Sequence, residues 1–466
     1  MLNELSNSYV WQQIFVLPGA NIAVWAEVVR SLLRVLTAVV GTLGCVPVLV
    51  WGERRLLGLL QGRLGPNRVG PMGLMQPLAD AAKLMFKEDI IPTNVDKTLY
   101  IIAPGVALVA VIMSATVLPW NGSPEWGAVA PGLNIGILFL LGVASIEVYG
   151  TILAGWSSNN KYSLLGGLRA ASQVISYELG MGLSIIAVLL IAGDLGTQHI
   201  VDHQALIHHA QIAGTNYVLP EQTWTWTDYR TWSGFWNWHV FSLFPFGLIA
   251  TVIYMISMVA ETNRAPFDLP EAETELVAGF HTEYSSFKFA MFFMGEYANM
   301  VIVSAIAVTL FFGGYMAPFG FLSGFPASFG AYLPAWFIDF TNTMIGFGWY
   351  ALKLLLLLGL FILVRASFPR LRYDMLMKLG WKGLLPTALI NVVLIALALA
   401  LQQQFGTFIG WLGAVVVGIA LCGVLFLSLR RNYDRSRRVD GSSTALVPIR
   451  RGSVIVRTPV AATKES

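Results

Sequence analysis

Nine long runs of apolar residues constrain the fold of this chain more than any other feature of its sequence. A helix needs about 20 apolar residues to cross the hydrocarbon core of a bilayer, and each run approaches or exceeds that length. The sequence therefore predicts an all-α fold, a polytopic membrane bundle of about nine transmembrane helices. The predicted spans are Val35–Trp51, Leu99–Trp120, Leu133–Gly155, Ala170–Ala192, Val240–Ala260, Phe287–Phe312, Ile345–Val364, Leu385–Leu401 and Phe408–Leu429.

The composition excludes several classes of protein. Charged residues make up 12% of the chain, about half the usual 25% of a soluble domain, so they are too few to cover a water-exposed surface. Its two cysteines, Cys45 and Cys422, exclude a disulfide framework, an iron–sulfur site made by this chain alone and a Cys-rich zinc site. The sequence has no GxGxxG, GxxxxGK[ST], HExxH or CxxC motif, and its net charge of +3 is too small to indicate nucleic acid binding.

The lysines and arginines orient the spans, because cytoplasmic loops carry an excess of both residues. With the N-terminus outside, 25 of the 29 fall in inner segments, which leaves the C-terminus in the cytoplasm and predicts an odd number of spans. In this interpretation residues 1–429 form one transmembrane domain and residues 430–466 a basic cytoplasmic tail. The domain has inner-face loops at 52–96 and 261–286 and an outer insertion at 193–239.

The first inner loop contains a predicted amphipathic helix, Met72–Glu88. At 100° per residue its apolar residues fall on one face and most of its charged residues on the other. Such a helix lies in the membrane interface or against a partner; the alternative is a surface helix with no further task. The apolar face consists of Met75, Leu78, Ala79, Ala82, Met85 and Phe86.

The second inner loop is acidic. Between Glu261 and Tyr284 it carries six acids against one base, Arg264, interleaved with apolar residues. Their mutual repulsion is tolerable if some of them are protonated, hydrated or paired with bases elsewhere. A plain solvated acidic loop is the alternative. The acids are Glu261, Asp268, Glu271, Glu273, Glu275 and Glu283.

Several ionisable residues fall within the predicted spans or at their inner ends. Charged groups at the middle of a membrane cost at least ~2.5–3.5 kcal/mol, so they usually mark a pathway or a pair. Carboxylates in separate spans favour proton or cation handling, coupled to something bound at the inner face. The alternative is static pairing between helices, for instance Glu296 with Lys353. The residues are Glu53, Glu147, Glu178, Glu261, Glu296 and Lys353.

Five of the six histidines lie in the outer insertion. His199 and His203 have the i, i+4 spacing of a zinc pair, but no third fixed ligand accompanies them. We therefore favour a solvated loop over a metal site.

Four long motifs closely resemble the H-type membrane subunits of the proton-pumping NADH:quinone oxidoreductases, respiratory complex I. The resemblance extends from about Leu36 to Gln402, and membrane subunits of energy-converting hydrogenases are more distant kin. The motifs are GERRLLGLLQGRLGPNRVGP, QPLADAAKLMFKEDIIP, RAPFDLPEAETELVAGFHTEYSSFKFAMFFMGEY and RASFPRLRYDMLMKLGWK.

The resemblance implies a multi-pass subunit of a bacterial inner membrane, placed at the joint between a hydrophilic redox arm and the membrane arm. Its inner loops, with two soluble-arm subunits, would form the chamber that admits quinone. The implied chamber residues are Arg54, Arg55, Arg63, Arg169, Glu261, Arg264, Phe267 and Asp268. The residues implied in the proton path and its coupling are Glu53, Asp80, Glu147, Glu178, Glu271, Glu273, Glu275 and Glu283.

The resemblance also implies which groups this chain lacks. We expect no metal or covalently bound cofactor in it; quinone is the substrate, and NADH, FMN and iron–sulfur clusters belong to partner subunits. The expected partners are the quinone-site subunits of the soluble arm, adjacent small membrane subunits, quinone and membrane lipid, with no nucleic acid. Two alternatives stay open: the equivalent membrane subunit of a hydrogenase-type complex, and a stand-alone secondary cation transporter, a class that often has internal repeats.

Overall fold

The computed structural model describes residues 22–120, 133–204, 235–268, 277–318, 335–405, 412–413 and 415–418. Within these ranges the chain forms helices and turns without a strand, which confirms the all-α prediction. The helices are α1 Ile22–Leu60, α2 Gln76–Phe86, α3 Lys97–Ala115, α4 Gly136–Ser157, α5 Lys161–Ala192, α6 Phe246–Glu261, α7 Ser286–Phe311, α8 Ala335–Ser367, α9 Tyr373–Lys378 and α10 Leu385–Phe405. Single turns of 3-10 helix lie at Pro71–Gly73, Phe235–Asn237 and Gly279–His281, and a π-helical segment, Leu379–Leu384, joins α9 to α10.

The described residues contain seven helical segments long and apolar enough to cross a membrane, so the chain is a multi-pass membrane protein. Two of the nine predicted spans are not among them. The span predicted at Val240–Ala260 is the 16-residue helix α6, because turns occupy the chain as far as Pro245. The span predicted at Phe408–Leu429 lies almost entirely outside the described residues. The seven segments are Ser31–Leu60, Lys97–Ala115, Gly136–Ser157, Lys161–Ala192, Ser286–Phe311, Phe340–Ser367 and Tyr373–Phe405.

Several helices extend beyond the apolar runs that predicted them. α1 continues to Leu60, so Glu53, Arg54 and Arg55 lie on its last turns and not in a loop. α5 begins at Lys161, which places Arg169 on the helix as well. The amphipathic helix predicted at Met72–Glu88 is shorter, since α2 starts at Gln76 after a turn in which Met72 has a positive φ of 54°.

Helix α7 is the central helix of the bundle. It packs against α1, α3, α6 and α8, and most of its apolar segment is buried. Its residues from Tyr297 to Phe311 are all buried. A polar side chain on α7 therefore faces other helices and not lipid, and this position determines where the site forms.

Small residues allow α3, α4 and α5 to pack closely. A Cβ atom added at Gly150 of α4 would lie 2.9 Å from the backbone nitrogen of Ala107 on α3. One added at Gly155 would lie 2.8 Å from the carbonyl oxygen of Ser163 on α5. Close approach of this kind is how transmembrane helices gain dispersion contacts where burial from water gives little driving force.

Buried tyrosines connect the helices through main-chain carbonyl groups. Tyr177 of α5 donates to the carbonyl of Leu376 at 3.0 Å, and Tyr254 of α6 donates to Val303 of α7 at 3.0 Å. Each ring fills apolar space while its hydroxyl finds an acceptor, so burial leaves neither hydroxyl unpaired.

Two serines fasten the end of α2 to the start of α7. The Ser286 hydroxyl lies 3.0 Å from the carbonyl oxygen of Leu84 and 2.8 Å from that of Lys87. The Ser285 hydroxyl accepts from the backbone N–H of Ile90 at 2.9 Å. Lys288 adds an ion pair with Asp89 at 2.7 Å. The interfacial helix is thus held to the central helix of the bundle.

The contact between α5 and the turn at Gly279–His281 can be tested with a single methyl group. A Cβ atom at Gly166 would lie 2.7 Å from the backbone of Gly279 and Phe280, so Gly166→Ala must displace this turn. Overpacking of this kind costs about 1–3 kcal/mol, and we expect a lower midpoint of thermal unfolding in detergent. Gly182→Ala, on the same helix with open space at its Cβ position, is the control and should not lower it. Equal midpoints for the two variants would contradict this packing.

Candidate functional site

Carboxyl groups from three helices meet inside the bundle around two small cavities. Glu147 of α4, Glu261 at the end of α6 and Asn299 of α7 line both cavities. Their volumes are about 20 and 30 Å³, and a space of this size with several polar partners can hold a water molecule. Glu147 interacts electrostatically with Glu261 and Glu296, and the side chain of Asn299 lines both cavities beside it. We call Glu147, Glu261, Glu296 and Asn299 the acidic cluster.

Arg264 connects the acidic cluster to the C-terminal end of α1. Its guanidinium lies 3.9 Å from the carboxylate of Glu296 and stacks 4.0 Å above the ring of Tyr297. The Tyr297 hydroxyl donates to the carboxylate of Glu53 at 2.7 Å. Glu53 is buried and forms an ion pair with Arg365 of α8. These contacts form a series from Glu296, which lines one of the cavities, to Arg365, whose side chain is 38% exposed.

Glu178 lies beside the acidic cluster. It accepts a hydrogen bond from the Ser145 hydroxyl of α4 and interacts electrostatically with Glu261. The structure therefore brings together Glu147, Glu178 and Glu261, which the sequence places on three different helices.

Lys353 forms contacts at the opposite end of α7. Its ammonium group donates to the carbonyl oxygens of Phe312 at 2.6 Å, Gly314 at 2.9 Å and Met316 at 2.5 Å. It also lies 4.3 Å above the ring of Trp238. The static pair of Glu296 with Lys353, considered from the sequence, is wrong: the base that Glu296 approaches is Arg264.

The predicted residues of the first inner loop cluster near the start of α2. Asp80 forms an ion pair with Arg54 of α1 and accepts from Gln76 at 3.1 Å. Arg55 donates to the carbonyl oxygen of Met72 at 2.9 Å. The two arginines thus fasten the loop and α2 to the end of α1. Arg63 is exposed and donates to Gln61.

The chain that leaves α6 folds against α5 before it reaches the acidic stretch. Gln173 of α5 donates to the carbonyl oxygens of Ala260 and Phe267, both at 2.7 Å. The Phe267 ring lies 5.7 Å from that of Tyr177. Asp268 is buried and accepts from Arg370 at 2.7 Å. The start of the acidic loop is therefore fixed to the core of the bundle.

The far side of the acidic loop is also held by hydrogen bonds. Glu283 accepts from the side chain of Asn160 at 2.6 Å, and its backbone carbonyl accepts from Tyr100 at 2.6 Å. Burial lowers the pKa of His281 to about 4, although the nearby carboxylate of Asp268 raises it. His281 is therefore neutral at pH 7 and adds no positive charge to the loop. The predicted residues Glu271, Glu273 and Glu275 lie outside the described residues.

Arg169 lies apart from the acidic cluster. Its guanidinium is 5.8 Å from the ring of Tyr373, whose hydroxyl is 3.2 Å from that of Ser172. The predicted chamber residues consequently form separate groups in this chain. Arg54 and Arg55 lie at α2, Phe267 and Asp268 beside α5, Arg169 at α9, and Glu261 and Arg264 at the acidic cluster.

The outer histidines form other contacts. His199 pairs with Asp194 at 2.7 Å, and the ring of His203 stacks on that of His239 at 5.7 Å. Burial lowers the pKa of His239 to about 3, so its ring is neutral. Among the described residues no group of three or more His, Cys, Asp or Glu side chains is placed to hold a metal ion.

Four residues that complete the site were not predicted from the sequence. Tyr297, Arg365 and Arg370 lie in the quoted motifs. From the sequence, however, the two arginines were counted only among the bases that orient the spans. Ser145 gives no signal beyond a polar residue in an apolar run. A span that carries an acid one position before a tyrosine, as Glu296 and Tyr297 do, is the local pattern that could have indicated the connection.

Comparison with known proteins gives consistent matches. Residues 33–396 match the NADH dehydrogenase family. The chain is 43% identical over 387 residues to the second H-type subunit of the NADH-quinone oxidoreductase of Koribacter versatilis. The aligned residues cover 80% of this chain and 97% of that protein. The chain is 44% identical over 364 residues to the H-type subunits of the NADH-quinone oxidoreductases of Rickettsia typhi and Rickettsia prowazekii, covering 78% of this chain and 92% of each relative.

The hydrogen bond from Tyr297 to Glu53 should contribute to stability. Tyr297→Phe keeps the ring beneath Arg264 but removes a donor from a buried carboxylate, a loss of about 1.5–3 kcal/mol for a hydrogen bond to a charged group. We expect a lower midpoint of thermal unfolding in detergent. Tyr149→Phe, at a tyrosine of α4 that is 62% exposed, is the matched control. If both variants unfold at the wild-type temperature, the Tyr297–Glu53 bond has no stabilising role.

Proposed function

The chain belongs to the NADH dehydrogenase family as an H-type subunit of the NADH-quinone oxidoreductases, respiratory complex I, and we propose that it forms the membrane wall of the quinone chamber and passes protons from that chamber into the membrane. The observation that supports this most directly is the series of contacts Glu53–Tyr297–Arg264–Glu296, which ends at a cavity that Glu147 also lines. The series joins the inner end of α1 to this cavity at the centre of the bundle.

The proposed path suits proton transfer because of the balance of charge within it. Glu147, Glu261 and Glu296 are close to one another, and Arg264 is the base beside them. Carboxyl groups this close in an apolar environment do not all ionise together, so the acidic cluster can keep an exchangeable proton. Water in the two cavities would connect carboxyl groups that do not touch directly.

The proposed chamber lies at the inner ends of the helices. Reduction of a quinone takes up two electrons and two protons, and its anionic intermediates attract positive charge. Arg54, Arg55 and Arg365 lie on the last turns of α1 and α8, and Glu53 stands between them and the path. In this proposal a change of charge on the quinone alters the protonation of Glu53 and, through Tyr297 and Arg264, that of the acidic cluster. Glu271, Glu273, Glu275 and Glu283 would contribute further carboxylates to the chamber.

The remaining roles follow from assembly into a complex. Electrons would come from NADH through FMN and iron–sulfur clusters held by partner subunits, and two soluble-arm subunits would close the chamber. We propose that the N-terminus faces outward and the C-terminus the cytoplasm of a bacterial cell, since this orientation places most lysines and arginines inside.

Glu147→Gln tests the path. It keeps the size of the side chain and removes its exchangeable proton. We expect the rates of NADH:quinone reduction and of proton pumping in membrane vesicles both to fall by about tenfold or more, as for the loss of an acid–base group. Glu88→Gln, at an exposed acid just beyond α2, is the control and should leave both rates unchanged. Normal rates in the Glu147 variant with full assembly would exclude this residue from the path.

Asp80→Asn tests the coupling role that we propose for Asp80 at the attachment of α2 to α1. It removes the carboxylate that pairs with Arg54 and so loosens the attachment of α2 to α1. Both side chains are more than a third exposed, and such a pair is worth about 0.2–1 kcal/mol, so we expect the KM for quinone to rise measurably, by up to about fivefold. The same Glu88→Gln variant is the reference. An unchanged KM and kcat would remove Asp80 from the proposed role.

A further inference from the structure

The segment from Arg365 to Lys382 contains more basic residues than form ion pairs. Arg365 and Arg370 point into the molecule, where they pair with Glu53 and Asp268. Arg372, Lys378 and Lys382 are exposed, and the ion pairs among the described residues include none of them. Asp374 is the segment's acid; it lies one turn before Lys378 and forms no ion pair with a described base.

Apolar side chains are exposed beside these bases. Trp381 is 49% exposed and Met375 is 60% exposed. Lys378, Trp381 and Lys382 fall on one side of the chain where α9 continues through the π-helical segment, at the first turns of the apolar segment Tyr373–Phe405. Tryptophans at such positions anchor helices at the level of lipid headgroups.

Trp381 is also fixed in place. Its indole N–H donates to the Ser176 hydroxyl of α5 at 3.0 Å. The indole therefore stands against α5 with its other side open, in contrast to a side chain that is free to rotate in lipid. Ser176 lies two residues before Glu178, so the contact adjoins the site described above.

We propose that Lys378, Lys382 and Trp381 form a binding site for the phosphate-bearing headgroup of an anionic phospholipid. The two ammonium groups neutralise the phosphate, Arg372 adds long-range attraction, and the indole ring and Met375 pack on the glycerol region and the first acyl carbons. A lipid fits this surface better than a soluble anion, because half of the surface is apolar and it adjoins a membrane-spanning helix. The bound lipid would stabilise the contact between Trp381 and α5.

The test uses the assembled complex, purified in mild detergent, stripped of lipid and placed in nanodiscs of phosphatidylcholine with increasing phosphatidylglycerol. Bound phospholipid is measured by native mass spectrometry, and stability by the thermal midpoint of the complex. Juxtamembrane bases contribute about 1 kcal/mol each to the binding of anionic lipid, about fivefold in affinity. We therefore expect the double variant Lys378→Gln/Lys382→Gln to need about 30-fold more phosphatidylglycerol for the same stabilisation.

Two further double variants separate charge from structure. Lys378→Arg/Lys382→Arg keeps the charge and should keep the lipid response. Lys83→Gln/Lys87→Gln removes two exposed lysines of the same spacing at α2 and should respond to phosphatidylglycerol like the wild type. The proposal is overturned if both glutamine pairs lose the response equally, if neither does, or if the arginine pair loses it.

Other occupants give distinct results. If inorganic phosphate stabilises the complex in detergent as well as phosphatidylglycerol does in nanodiscs, the surface binds a free anion and the lipid assignment is wrong. If Lys378→Gln/Lys382→Gln loses soluble-arm subunits during purification while bound phospholipid stays the same, the surface contacts a protein, which also overturns the proposal.

Discussion

The placement of Arg264 in an apolar bundle is the interaction on which the polar centre of this protein depends. An arginine inside a membrane protein is tolerated where carboxylates and aromatic rings surround it. Helix α7 supplies both at consecutive positions, since the guanidinium lies 3.9 Å from Glu296 and 4.0 Å from the ring of Tyr297. Tyr297 then holds Glu53 of α1. The turn after α6, the middle of α7 and the end of α1 are thus positioned by one cation.

The basic residues that the topology rule places on the inner side, and counts alike, have three different environments. Arg365 and Arg370 pair with the buried acids Glu53 and Asp268. Arg54 and Arg55 bind groups at the start of α2. Arg372, Lys378 and Lys382 are exposed and form no ion pair with a described acid. A count of charges therefore predicts the sidedness of a membrane protein, whereas structural contacts define what each base does.

The sequence was sufficient for the fold class, because hydropathy is a local property and each span carries its own signal. It also singled out Glu147, Glu178 and Glu296, since an acid in an apolar run is visible without a partner. The partners were not visible. Glu53 and Arg365 are 312 positions apart, and no local pattern relates them. The ends of the helices were hard to predict for a related reason. Helix α1 continues for nine residues beyond Trp51. Its charged last turns are stable because they pair with residues that are distant in sequence.

The clamp that Lys353 makes on three carbonyl oxygens has a mechanical consequence. It fastens the end of α7 that lies farthest from α2, and any tilt of α7 that keeps these bonds would have this end as its pivot. A helix of 26 residues is about 39 Å long, so a tilt of one degree about the pivot moves the other end by about 0.7 Å. That far end is tied to α2 by Ser285 and Ser286. A tilt of α7 that keeps the Lys353 contacts would therefore move α2 more than it moves the residues around Lys353.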